Sequence, residues 1–193
     1  MHDSKTLKLA QTALFAALSY VVFTFLQIKI PVGAETTSIH LGNAVVVLAA
    51  FVLGGPLGGI AGAIGMSIGD FLDPVYAPLV PKTLFCKLMI GLITGLIAHR
   101  IGHITESDDR SHILRYSVLA AAGGLLFNVF ADPIIGYWYK LLILGKPAAD
   151  LSIKINFASS AINAVLSLII SVAVYLALRP ALKKSGYFLR IAH

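Results

Sequence analysis

Apolar residues run along this chain in long stretches without charge. The stretches 9–28 and 36–69 have none, and the run Gly54-Gly55-Pro56-Leu57-Gly58-Gly59 interrupts the second. Each uncharged stretch of about 20 residues is long enough for a bilayer-spanning helix. Glycine and proline inside 36–69 favour two short helices joined by a tight turn over one very long helix. Pro74, Pro78 and Pro81 mark a loop, as do the polar residues 102–112 and Gly145-Lys146-Pro147. The pattern predicts helices over about 7–29, 41–54, 57–71, 82–101, 113–140 and 155–182. The first is read as a retained helix, because Lys29, Pro31 and Gly33 follow it where a signal peptide would carry a small-residue cleavage site. The expected fold class is an all-α integral membrane protein with six transmembrane helices in one domain, 1–193.

Composition strengthens that reading. Of 193 residues, 58% are hydrophobic and 12% charged, with mean hydropathy +0.86. Soluble domains carry about 25% charged residues, so a soluble enzyme is disfavoured. The single cysteine, Cys86, forms no internal disulfide and no cysteine-rich metal site. The net charge of +6 comes from basic residues placed mostly between apolar segments, where they set topology. No basic stripe interleaved with aromatics is present, so nucleic acid is not an expected partner. With six helices both termini share one side, taken as cytoplasmic. That side then holds nine basic residues, including all five arginines, against six lysines on or near the other. Topology does not call for those outer lysines.

Small residues mark close helix approaches. Gly58, Gly62, Gly65 and Gly69 form one stripe on the third predicted helix, and Gly91 and Gly95 repeat the spacing on the fourth. Ala13 and Ala17 put a small-residue face on the first helix, suited to an internal contact or to a partner membrane protein.

Polar groups inside the apolar segments carry the candidate chemistry, because intramembrane charge usually faces a cavity or a partner. Asn128, Asp132 and Gly136 share a face of the fifth helix, with Trp138 and Tyr139 just beyond. Asn156, Ser159, Ser160, Asn163 and Ser167 make a polar stripe on the sixth. Lys87 lies inside the fourth. All sit in the outer halves of their helices, so they can converge on a pocket open to the outside. A structural Lys87–Asp132 ion pair with interhelical hydrogen bonds is the competing reading. Two outer loops could cover the pocket, one with His40 and the other with Asp70, Asp73, Tyr76 and Lys82. Trp138, Tyr139 and Tyr76 are candidates for stacking on a flat heterocycle, or for an interfacial aromatic belt.

Signs of catalysis are weak. His99 and His103 lack the carboxylate of a zincin helix, and no Walker or G-x-S-x-G motif is present. Asp70 and Asp73 are a close carboxylate pair at an outer loop, too few ligands for a two-metal site. No catalytic residue, metal or cofactor is expected.

Several motifs together resemble one family. They are Ala13-x-x-x-Ala17, Leu41-Gly42-Asn43, the run Val52-Leu53-Gly54-Gly55-Pro56-Leu57-Gly58-Gly59, Gly69-Asp70, and Pro81-Lys82-Thr83 leading to Lys87. The chain resembles the substrate-binding S components of energy-coupling factor (ECF) transporters, closest to the branch for riboflavin, hydroxymethylpyrimidine and vitamin B6. The resemblance implies a six-helix bundle that binds a vitamin in its outer half, among the last three helices and the first outer loop. It implies docking through Ala13 and Ala17 on a transmembrane coupling protein driven by two cytosolic ATPases, then toppling in the bilayer to release substrate inside. Lys87, Asn128, Asp132 and Asn163 carry over only as positions in that pocket.

The expected function is therefore capture of a small vitamin or vitamin precursor, leaning to the B6 or hydroxymethylpyrimidine type. The alternatives are a stand-alone secondary carrier or, less favoured, a membrane enzyme acting on a lipid or isoprenoid.

Overall fold

The computed structural model describes residues 2–32, 35–145 and 150–187. Gly33, Lys146, Pro147 and Arg190 lie outside the described residues. The elements are α1 (His2–Phe25), β1 (Gln27–Val32), β2 (Glu35–His40), α2 (Gly42–Leu53), α3 (Gly55–Phe71), α4 (Val80–Gly95), α5 (Arg110–Leu142) and α6 (Asp150–Lys184). One turn of 3₁₀-helix, Ala77–Leu79, leads into α4, and a π-helical turn, Leu96–Ile101, extends it.

The first helix stops at Phe25, short of the expected 29. The chain then turns back as an antiparallel hairpin pairing Gln27 with His40, Lys29 with Ser38 and Val32 with Glu35. Pro31 and the β-branched run Thr36-Thr37 oppose a helix here. The bundle is thus helical with one hairpin, where an all-α fold was expected. Among the described residues, four segments are long and apolar enough to cross a membrane: Lys5–Phe25, Ala77–Ile101, Arg110–Leu142 and Ile153–Lys184. The other two helices are short. At 12 residues, α2 spans only about 18 Å, less than a hydrocarbon core of about 30 Å.

That short helix is the centre of the bundle. All twelve of its residues are buried, and α1, α3, α4, α5 and α6 pack around it. Phe51 and Tyr175 of α6 meet ring to ring at 4.9 Å in the core. Because α2 is enclosed by protein, its length need not match the bilayer.

Glycine permits the closest approaches. The stripe on α3 serves two neighbours. A Cβ on Gly58 or Gly62 would strike Ala50 or Val46 of α2, and one on Gly65 or Gly69 would strike Ala16 or Phe23 of α1. On its other side, Gly59 and Gly55 meet Gly91 and Gly95 of α4 backbone to backbone. Neither backbone can move aside as a flexible side chain would. Gly91→Val is therefore expected to cost about 3 kcal/mol or more, seen as a lowered unfolding temperature and loss of a single monodisperse peak on size exclusion. An unchanged melting curve would contradict this packing.

The two ends of the bundle differ. At the end where α1 begins and α6 finishes, Arg179 donates to the Ile104 carbonyl (3.1 Å) and to that of Ser107, and Lys183 pairs with Asp108. Asp109 caps α5 through the Ser111 amide (2.9 Å). The His99 ring meets the Ala50 carbonyl at 2.9 Å, at the end of α2. His103 is exposed, 3.5 Å from Glu106. At the opposite end lie the hairpin and the α3–α4 loop, and between them opens a cavity.

Candidate substrate pocket

The cavity has a volume of about 90 Å³ and is bounded by the hairpin, the α3–α4 loop and the adjoining ends of α3, α4, α5 and α6. Of the residues singled out from the sequence, Lys87, Asp132, Asn156, Ser159, His40 and Tyr76 line it. Asn128 and Asn163 do not line it; they are buried just behind the wall. Trp138 and Tyr139 also lie off it. Gly136 faces the cavity, and residue 138 sits about 200° further round the helix. Trp138 is accordingly 53% exposed and packs edge to face on Tyr137. Its place suits the interfacial aromatic belt.

The charged groups are wired differently from the expected Lys87–Asp132 pair. Asp132 pairs with Lys82, at 3.1 Å. Lys87 instead donates to the Asn128 side-chain carbonyl at 3.2 Å. Lys82 sits in the first turn of α4 beside Pro81, and so reads in the sequence as a boundary lysine. Asp70 was likewise grouped with Asp73 as a loop residue. It belongs to the last turn of α3, is 4% exposed, faces the cavity and accepts from the Thr83 hydroxyl at 2.5 Å. Helical spacing carries a signal for Asp70, which stands at i+4 from Met66, another residue lining the cavity, and about 100° round α3 from Gly69.

One side of the hairpin is fixed to α6. The Asn163 amide accepts from the His40 backbone N–H (2.9 Å) and donates to the Ser38 carbonyl (3.0 Å). The Thr37 and Ser159 hydroxyls are 2.8 Å apart. Asn163 thus positions the wall rather than facing the cavity. Phe23 of α1 supports the His40 ring edge to face at 4.9 Å.

The other side is held more lightly. Lys29 of β1 pairs with Asp73 of the α3–α4 loop and lies 5.8 Å from the Tyr76 ring centre. Partial burial opposes ionisation of Asp73, but hydrogen bonds from Lys29 and the Val75 amide outweigh it and hold the carboxyl below its usual 3.8. A carboxyl lowered on folding contributes fully above its unfolded value and is lost only as pH falls through the folded one. This contact is therefore intact from pH 5 to 8. Lys29 is 46% exposed, so salt screens the pair and it contributes at most about 1 kcal/mol. Asp73→Asn is expected to raise the ligand dissociation rate by no more than about five-fold. In stopped-flow release, salt should shrink the difference from wild type, and pH between 5 and 8 should not change it.

The faces of α1 are equally distinct. Thr12, Ser19 and Phe23 are buried against the bundle, whereas Ala13 and Ala17 point away from it and are exposed, beside exposed Leu14 and Leu18.

The family model for ECF-type riboflavin transporter S components matches residues 3–180. The chain belongs to that family. Its fold is similar to that of ThiT from Listeria monocytogenes, with a TM-score of 0.70 at 20% identity over 92% of this chain and 97% of that one. It is also similar to the S-component for biotin from an ECF-type ABC transporter, with a TM-score of 0.59 at 20% identity over 90% and 93%. No curated protein matches the sequence. The chain is therefore a membrane-embedded, substrate-binding subunit of a vitamin transporter and not an enzyme. S components of this kind work with an ECF module.

Proposed function

We propose that this subunit captures a small vitamin or vitamin precursor, of the B6 or hydroxymethylpyrimidine type, in the cavity beneath the hairpin. The observation that carries the reading is the cavity itself: buried Lys87 and Asp70 face it together with the Lys82–Asp132 pair, His40 and the α6 hydroxyls. Charge held inside a membrane protein points to a ligand or pathway. The cavity is well below the usual 300–1,000 Å³ of ligand pockets, which favours one heteroaromatic ring. Riboflavin is the second reading, favoured by the description of the matching family. Its three fused rings would require the hairpin and α3–α4 loop to part.

In this proposal all six helices embed in the bilayer and both termini face the cytoplasm. Ala13 and Ala17 dock on a transmembrane coupling protein driven by two cytosolic ATPases. Reconstitution in vesicles tests the division of labour. Labelled pyridoxine is expected to accumulate only when an ECF module and ATP are both present. Accumulation by this chain alone would instead indicate a secondary carrier.

A further inference from the structure

Five charged side chains line the cavity from α3, α4 and α5, namely Asp70, Lys82, Lys87, Asp132 and Lys140, and they are not matched evenly. Lys82 and Asp132 neutralise each other at 3.1 Å. Among the described residues, Lys87 and Asp70, each 4% exposed, have only neutral hydrogen-bond partners: the Asn128 carbonyl for Lys87 and the Thr83 hydroxyl for Asp70. Among the described residues neither has an opposite charge within 4 Å. An ammonium carries three donors and a carboxylate about four acceptor sites, so both keep bonding capacity beyond these contacts. A buried charge without a counter-ion is costly. Here one of each sign borders the same small space.

We infer that the ligand is amphoteric: a single heteroaromatic ring with an ionised oxygen for Lys87 and a protonated ring nitrogen for Asp70. This rests on the reading that the cavity holds the ligand, and sharpens it. Each ligand group supplies the counter-ion that one side chain lacks, through a charge-assisted hydrogen bond. Asp132 is less suited to the ring nitrogen, because Lys82 already occupies it. His40 adds a third contact. The residue lines the cavity, and its Nδ1 is buried with no hydrogen-bond partner among the described residues, so it is available to bond a neutral hydroxymethyl substituent. A 3-hydroxypyridine, which in neutral water is largely a phenolate–pyridinium zwitterion, meets all three. A neutral aminopyrimidine or a flavin meets only the hydrogen bonds.

Calorimetric titration of the purified subunit with four compounds tests this: pyridoxine, its 3-O-methyl ether, 4-amino-5-hydroxymethyl-2-methylpyrimidine and riboflavin. Pyridoxine is expected to bind tightest. The ether, which cannot form the phenolate, should bind about 100-fold more weakly, and the pyrimidine and riboflavin at least about ten-fold more weakly. Lys87→Met and Asp70→Asn should each weaken pyridoxine about ten-fold or more while changing the ether little. The ligand series needs no substitution, so it decides even where a variant fails to fold. Binding of the ether, the pyrimidine or riboflavin as tightly as pyridoxine would overturn the charge match and leave vitamin capture standing. Binding of none of the four would remove capture and this inference together.

Discussion

Asp132→Ala is expected to abolish high-affinity binding and to lower stability by up to about 3 kcal/mol, the low end of the cost of breaking a buried ion pair from one side, because the two side chains are 12% and 22% exposed. Lys82 would keep its charge in a wall where its side chain is 12% exposed, with its partner at 3.1 Å removed. The double variant Lys82→Met/Asp132→Leu removes both charges, and well-packed apolar replacements of buried pairs are often neutral in stability. It should therefore melt near wild type and still bind poorly. Lys87→Ala separates the roles differently. Its partner Asn128 is neutral, so stability should fall less than in Asp132→Ala while binding is lost. Thermal unfolding and titration on the same samples read both quantities. Wild-type affinity in Asp132→Ala and Lys87→Ala together would remove the pocket assignment.

Ala13→Trp/Ala17→Trp is expected to abolish uptake and leave binding and stability unchanged. Ala13 and Ala17 are exposed on α1, while the bundle is met by Thr12, Ala16, Ser19 and Phe23. Indole rings added there meet lipid in the isolated subunit. Against a coupling protein they would hold apart two helices that small residues let approach. Uptake measured in vesicles with an ECF module, beside titration of the isolated subunit, separates the two effects. Normal uptake in the double variant would eliminate this face as the docking site.

The helical part of the fold was legible because uncharged length and glycine-proline breaks are local signals. The hairpin was not. Ile28 and Ile30 extend the apolar run of α1 past Phe25, and only the alternation with Lys29 and the proline at 31 betrays a strand. Within the site, the stripe on α6 and the i, i+4 face of α5 led to Ser159, Asn163, Asn128 and Asp132. Their roles divided by helix rotation and by hairpin contacts, which no spacing on a single helix encodes. Asn163 clamps the hairpin, Asn128 holds Lys87, and Trp138 faces away. Which lysine meets Asp132 depends on the relative height of α4 and α5. The packing of Gly124 against Thr94 and the Ile90 carbonyl sets that height. Lys82 and Asp70 looked like loop-edge charges because each lies within one turn of a helix end.

The central claim, that this subunit holds a vitamin-like molecule beneath its hairpin, is tested most directly by what the protein carries. Subunit purified in mild detergent from its own host should release, on denaturation, one small heteroaromatic compound identifiable by mass spectrometry. That compound should rebind the emptied protein at one per subunit, and bind Lys87→Ala far more weakly. Protein that releases no such compound, and takes up no B vitamin on titration, would contradict capture and return the chain to the carrier reading.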